Sequence, residues 1–596
     1  MTEATEIQDN LLAAQQGHAD AAGEEPSLPA LGWVSCPRSY DPDLARRLAP
    51  HFGPVAVRVL AGRGISDPAS MDTSLKSLAR IPHGFEDAVA VLLEAVVRQQ
   101  HVCILGDFDV DGATATALAW RGLKALGLEQ VSYLVPSRFA VGRGLTPETS
   151  QQLIAQHPDI VLTVDCGITS VDGAELLRAA GIRLIISDHH LPGDDLPVAD
   201  AVVNPHVSNM ATALCGCGVV FHLLAELRAA ARTRGLFADG RGPHLASLLS
   251  LVALATVADV APLDQHNRTL VAEGLRRLRA GQAPLGLLAL CQVAQLDHRA
   301  ASAEDLAFAL APRLNAMGRL GEMVEAVRCL ITENPEEASM LAGRMDTLNR
   351  HRRRIESQMT QQAQGQVSRL RANDALPTGL CLYDPQWHEG VTGIVAARIK
   401  DTWQRPVIAM AKTAQGLLKG SMRSMPPWHA LEILETIARL APGLMAGFGG
   451  HAQAAGLTLE PVHLQAFAAA FDQAARMTSR SEAVISIASD GSLTAHELSN
   501  ATALALAALE PWGSSLPPPV FEGVFEVVQA ERTWRLLRLV VHLPGLPRAL
   551  EALVFRHAGP VPRAGAAVRL LYGLMPNATS HEAMPRLRVE RMEVLP

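Results

Sequence analysis

The heptapeptide Gly106-Asp107-Phe108-Asp109-Val110-Asp111-Gly112 sets three carboxylates at alternate positions, between the apolar run 102–105 and an Ala- and Thr-rich stretch. In an extended segment alternate side chains point the same way, and the flanking glycines permit a sharp turn from strand to helix. Three converging oxygens suit a hard divalent cation; the competing reading is a solvated acidic loop. Two further apolar runs also end in an aspartate, 160–164 before Asp165 and 183–187 before Asp188. In an open parallel sheet the carboxyl ends of the strands face one crevice, where ligands bind. A solvated loop gives no reason for acids to stand there three times.

His189 and His190 follow Asp188 and add imidazole nitrogens. Asp259 ends the apolar run 248–257 and reads either as a helix cap or as a ligand. Carboxylates with one or two imidazoles suit Mg²⁺ or Mn²⁺ better than zinc. Two such ions ~3.5–4 Å apart can activate water and neutralise a leaving oxygen, which is what phosphodiester hydrolysis needs. No Ser-His-Asp or Cys-His nucleophile arrangement competes, so the chemistry reads as metal-borne.

The elements that must position these residues follow from periodicity. Strands are expected at 102–105, 131–135, 160–164 and 184–186, with helices at 113–126, 147–156 and 170–180. That alternation implies an α/β domain with a mostly parallel sheet covered on both faces. Residues 33–100 read as helical, notably 42–48 and 88–98, leading into the first strand; 1–32 are polar and small and read as a disordered tail.

With 596 residues, the chain is expected to form about three to five domains. Hydrophobic residues at 48% and charged residues at 19% describe a folded protein rather than a disordered one. The net charge of −8 advertises no nucleic-acid partner, so any such binding must come from local patches. Eight cysteines without a CxxC pair suggest reduced thiols in a cytoplasmic protein, with Cys215 and Cys217 as buried small apolar groups. The N-terminus lacks the pattern of a signal peptide, and the uncharged stretch 201–225 is broken by Asn204, Pro205, His206 and Asn209, so no membrane span is expected.

Taken in order, Gly106 to Gly112, Val164-Asp165-Cys166-Gly167, Ser187-Asp188-His189-His190 and Thr256-Val257-Ala258-Asp259-Val260-Ala261-Pro262-Leu263 resemble the four motifs of the DHH phosphoesterase superfamily. Arg313-Leu314-Asn315-Ala316-Met317-Gly318-Arg319, Trp387-His388-Glu389-Gly390, Lys419-Gly420-Ser421-Met422-Arg423-Ser424 and Phe448-Gly449-Gly450-His451-Ala452 extend the resemblance to the RecJ family of bacterial single-strand-specific exonucleases. The resemblance implies two divalent ions, Mn²⁺ or Mg²⁺. Asp109, with Asp107 nearby, would serve the first; Asp111, His189 and Asp259 would serve the second; Asp165 would bridge them. His190 would contact the substrate phosphate. Some superfamily members carry a metal-ligating histidine four residues before the position of Asp109; this chain has Leu105 there, which leaves the first ion to oxygen ligands alone.

The resemblance further implies that Ser421, Arg423, Gly450 and His451, with Arg319 from the other side, grip the 5′ end of the strand. The implied activity is a 5′→3′ exonuclease on single-stranded DNA, releasing mononucleotides in repair and recombination. A helicase and a single-strand-binding protein would be partners of a monomeric enzyme. The expected organisation is a catalytic domain at 33–343, a connecting helix at 344–374, a substrate-binding lobe at 375–475 and an OB-like barrel at 485–596. In the loop 138–145 Val141 and Arg143 replace the acidic residue and tyrosine usual in the family, and Arg143 is expected to add a phosphate contact.

The segment 344–371 carries seven arginines and reads as a long helix, either a solvated face or a row of phosphate contacts. The glycine-rich 447–452 also fits GxGxxA, but helix rather than strand is expected before it, which argues against a dinucleotide site. From Glu531 onward ten arginines against five glutamates give +5, so the remaining 530 residues carry −13 of the chain's −8. That polarity fits a phosphate-binding barrel, with Trp534 a candidate stacking residue, and equally fits an ordinary basic surface. Two alternatives stand beside the exonuclease: a phosphoesterase for short oligonucleotides, against which the long helix and barrel speak, and an inactive DNA-binding scaffold, against which the full set of acids speaks.

Overall fold

The computed structural model describes residues 33–78, 80–81, 83–137, 144–372, 376–479, 485–533, 536–555, 561–577 and 584–595. The expected tail at 1–32, Val141, Arg143 and Trp534 lie outside the described residues. The chain forms two compact units. One holds Arg38–Asn349, Asp490–Phe555 and the segment from Val561; the other holds Arg350–Ser489 with the strand Trp33–Pro37.

The first unit is built on strands β1 (Val102–Gly106), β2 (Val131–Leu134), β3 (Ile160–Val164), β4 (Arg183–Ser187) and β5 (Ala201–Val203), in the order β2-β1-β3-β4-β5. All neighbours are parallel. Every residue of β1 and β3 is buried, as uninterrupted Val, Ile and Leu runs require when helices cover both faces. Register does the positioning: Gly106 pairs with Val164 and Val164 with Ser187, so Asp107, Asp165 and Asp188 leave the sheet side by side. The three-residue β5 is too short for its alternation to be read from sequence. Helix α1 (Val110–Ala125) starts at once, its N-terminus capped by Asp109, and packs against α2 (Gly216–Thr233) and α3 (Leu249–Ala258). Helix α3 is apolar all round and its residues 249–256 are buried, so it forms the centre of the core.

Helix α4 (Pro335–Ala372), 38 residues long, runs from the first unit into the second and begins before the expected 344. The second unit's sheet comprises β6 (Leu380–Tyr383), β7 (Val407–Lys412), β8 (Leu418–Arg423), β9 (Gly447–Gly450) and β10 (Ala454–Leu459), ordered β9-β10-β8-β7-β6. Only β6 and β7 run parallel. In the same unit a separate two-stranded sheet pairs Trp33–Pro37 in parallel with Ile485–Ser489.

The C-terminal strands β11 (Phe521–Arg532), β12 (Leu536–His542), β13 (Leu550–Phe555), β14 (Ala567–Met575) and β15 (Arg586–Val594) close into a barrel in the order β11-β12-β13-β15-β14. Its core contains Phe521, Phe525 and Tyr572 together with Leu48, Val59 and Leu60 of the helices Pro42–Leu48 and Pro54–Ala61. From sequence those helices are expected to lead into the parallel sheet. Amphipathicity shows that a face is buried but not what covers it, and here the barrel does. Among the described residues no helix is long and apolar enough to cross a membrane.

Candidate metal centre

The loop from β1 to α1 brings Asp107, Asp109 and Asp165 together, with one oxygen of each within 4.8 Å of the others. Asp107 is buried and its Oδ1 accepts the Phe108 N–H at 2.8 Å; Asp109 accepts the Gly112 N–H at 3.1 Å and so starts α1. A second group, Asp111, His189 and Asp259, meets the same distance criterion, as does a third, Asp165, His189 and His190. His189 sits at the junction: its Nε2 is 3.0 Å from Asp165 Oδ1 and 3.8 Å from Asp111 Oδ2, and its Nδ1 is 3.9 Å from Asp259 Oδ2. Leu105 turns its side chain into the core with Cys103, Val161 and Leu184, so the first group offers oxygens only. Asp259 follows the end of α3, and as an acceptor it has nothing to offer unpaired helix carbonyls; its carboxylate belongs to the cluster instead.

Asp111 is held from a distance in sequence. The N–H groups of Gly216 and Cys217, at the start of α2, donate to its two oxygens at 2.7 and 2.8 Å. Nothing in the spacing of the acids points to these donors, and Cys217, expected only as a buried apolar group, contributes through its backbone. Gly216 also touches Asp165: a Cβ at this position would lie 2.6 Å from the Asp165 Cβ. Asp165 itself adopts φ 62, a conformation an aspartate tolerates better than most residues.

Burial first, then the charges of Asp259 and Asp109, push the Asp111 carboxyl up to about 8 despite the two N–H donors. Burial and the neighbouring Asp111, Asp109, Asp107 and Asp188 push Asp165 well above the usual carboxylate range. Both Asp165 oxygens are buried and neither meets hydrogen-bond geometry, although His189 Nε2 lies 3.0 Å from Oδ1. Mutually repelling carboxylates around a buried acid whose oxygens find no hydrogen-bond donor in good geometry are the donor set a divalent cation satisfies, so the residues fit Mn²⁺ or Mg²⁺.

Asp188 behaves differently from the other strand-end acids. Its Oδ1 accepts the His189 N–H at 2.7 Å and lies 2.7 Å from His190 Nδ1, and its Oδ2 accepts the Ile168 N–H at 3.0 Å. Burial opposes its ionisation, but the His190 hydrogen bond and charge, with the backbone donors, outweigh it and lower its pKa. Asp188 thus holds the His190 ring through Nδ1, while Asn204 donates to the His190 carbonyl at 2.9 Å.

Of the expected substrate residues, Arg319 lies near the end of the helix Ala311–Leu320, in the same unit as the acids. Its neighbour Gly318 is so close to the Phe108 carbonyl that no side chain would fit. Ser421, Arg423, Gly450 and His451 gather in the second unit's sheet. Ser421 and Arg423 are on β8, Ser421 Oγ accepts from Thr392 at 3.1 Å, Gly450 pairs with Ala455, and the His451 N–H donates to Ala454 at 2.8 Å. On α4, Arg352 is 3.5 Å from the buried Glu356, whereas Arg353 and Arg354 are exposed.

Three family models match consecutive parts of the chain: the DHH family N-terminal domain at 101–256, the DHHA1 domain at 376–477 and the RecJ OB domain at 489–591. The single-stranded-DNA-specific exonuclease RecJ of Dickeya dadantii is 43% identical over 84% of this chain and 88% of its own length. The protein of the same name from Escherichia coli is 41% identical over 87% of this chain and 92% of its own. A crystal structure of RecJ with Mn²⁺ from Thermus thermophilus superposes with a TM-score of 0.78 at 31% identity, covering 94% of this chain and 79% of that one.

Proposed function

The chain belongs to the RecJ family, and on that premise we propose that it degrades single-stranded DNA from the 5′ end, releasing mononucleotides by two-metal phosphodiester hydrolysis in repair and recombination. The observation that carries the reading is Asp165, buried, with neither oxygen in hydrogen-bond geometry, where two groups of potential ligands meet. In this reading Asp107 and Asp109 would hold one ion, Asp111, His189 and Asp259 would hold the other, and Asp165 would serve both. Bound there, the ions supply ionised water at neutral pH and neutralise the charge that develops on the leaving oxygen.

The chain's own groups do the rest. Two backbone N–H groups keep Asp111 aimed without adding a competing charge. Asp188 accepts from Nδ1 of His190, so Nε2 is the nitrogen presented to a phosphate oxygen. Arg319, Ser421, Arg423, Gly450 and His451 grip the 5′ end, a charge-assisted contact for Arg423 and Arg319 and backbone donors for the glycine-rich turn. Functionally, 33–343 carries the metal centre, 344–374 connects, 375–475 binds the 5′ end and 485–596 holds the strand behind it. The enzyme acts as a monomer in the cytoplasm on strands that a helicase exposes and a single-strand-binding protein keeps unpaired. The test is digestion of 5′-labelled single strands and blunt duplexes with Mn²⁺ or Mg²⁺. Rapid loss of the single strand alone, starting at the label, is expected; equal digestion of duplex, or attack from the 3′ end, rejects the reading.

A further inference from the structure

Strand β5 is short, yet its end holds the tripeptide Asp188-His189-His190 at both ends. Val203 pairs with Ser187, and the ladder runs one residue further, where the Asp188 N–H donates to the Val203 carbonyl at 3.0 Å. The next residue, Asn204, continues the contact with its side chain, whose Nδ2 donates to the His190 carbonyl at 2.9 Å. Asn204 is fully buried. A buried amide costs stability unless its polar atoms are bonded, and here both ends are, since Oδ1 accepts the His206 N–H at 2.8 Å. That second bond also settles which way the amide points. Turned round, its NH₂ would meet the His206 N–H and its oxygen would meet the His190 carbonyl. The position therefore presents a donor to His190, although an apolar residue of similar size would fill the same space without desolvating an amide.

The surroundings of His190 explain what this donor is for. Beyond it, residues 191–196 are exposed one after another and belong to no helix or strand, so packing does not fix the chain on that side. Before it, the His190 N–H at 3.2 Å and the ring Nδ1 at 2.7 Å both lie on one atom, Asp188 Oδ1. Two contacts that meet at a single oxygen leave a residue able to pivot about it. A third point of attachment, on the carbonyl, stops the pivot.

We infer that Asn204 is a positioning residue for His190, which sets the angle at which that imidazole meets the substrate phosphate; this rests on the phosphate contact given to His190 above. Asn204 does not itself touch the substrate or the ligand groups. It acts through the backbone of the residue that does.

The test uses the full-length protein with Asn204→Asp and Asn204→Ser, each made alone and together with His190→Ala. Both substitutions keep an oxygen for the His206 N–H, and neither reproduces the amide donor to the His190 carbonyl. On a 5′-phosphorylated single strand with Mn²⁺, each is expected to lower kcat about 10- to 100-fold, with KM and Mn²⁺ affinity within about threefold of the unaltered protein. In the His190→Ala background the same substitutions should lower kcat by less than about twofold, because the group they position is already gone. An equal loss in both backgrounds overturns the inference, and so do an unchanged kcat, a loss confined to KM, a parallel fall in Mn²⁺ affinity or failure of both variants to fold. If His190→Ala alone leaves kcat intact, it is the phosphate contact given to His190 that fails, and if the unaltered protein leaves single strands intact, it is the nuclease reading.

Discussion

Gly216 is the residue through which the two ligand groups feel each other, since its N–H orients Asp111 and its bare Cα faces Asp165. Gly216→Ala is therefore expected to lower Mn²⁺ affinity by about 10- to 100-fold, measured by isothermal titration. Asp188→Asn should cut kcat by about 100-fold and leave Mn²⁺ affinity nearly intact, because it frees the His190 ring rather than a ligand. The raised pKa of Asp111 has a stability consequence. The folded chain binds this proton more tightly than the unfolded chain, so the stabilisation is complete below the ordinary 3.8 and is lost as pH rises to about 8. In EDTA the melting temperature should fall across that window, less so in Asp111→Asn, and added Mn²⁺ should flatten the fall. Of the acids, Asp107, Asp165, Asp188 and Asp259 were legible because each closes an apolar run, and Asp109 and Asp111 because they alternate with Asp107. The donors to Asp111 were not, since Gly216 lies 105 residues away and only the packed fold joins them.

At the scale of elements, helix α4 separates two kinds of arginine. Arg352 pairs with the buried Glu356, which also holds Arg398, whereas Arg353 and Arg354 face solvent. Glu356→Gln should cost about 2–4 kcal/mol of stability, read from urea unfolding, without altering the salt dependence of DNA binding. Arg353→Ala and Arg354→Ala should each lower the slope of log K against log salt by about 0.7 if both meet phosphates, and leave stability within about 0.5 kcal/mol. The strands carrying the acids were readable from their apolar runs, and α4 from its long proline-free pattern. Strand β9 was not: Gly447-Phe448-Gly449-Gly450 has almost no side chains to alternate, and only its ladder to β10 makes it a strand. The basic character of the barrel was legible as a count, but Arg569 lies 3.2 Å from Glu522 and Arg588 pairs with Glu304, two acids outside that count, so part of the charge is neutralised by neighbours the count omits.

At the scale of the molecule, the barrel is bound into the first unit. Buried Arg268 donates to the carbonyls of Pro511 and Leu509 at 3.1 and 2.9 Å, and burial lowers its pKa to about 10. Arg268→Met should cost about 2–4 kcal/mol by stranding those carbonyls and should broaden the calorimetric transition. Removing everything after Ser489 should leave Leu48, Val59 and Leu60 uncovered and the product aggregated, while removing 38–62 as well should restore solubility. This sharing of a core was not legible, because no local pattern links the helices at 42–61 to strands at the other end of the chain. It has a consequence during synthesis. Ala61 and Phe521 are 460 positions apart, and a ribosome adding about 5–20 residues per second needs roughly 20 to 90 s to bridge them. Throughout that interval the nascent helices have an apolar face without a partner, so a segment translated long before the barrel is among the last to reach its native contacts, and a chaperone that shields it should raise the yield of active enzyme.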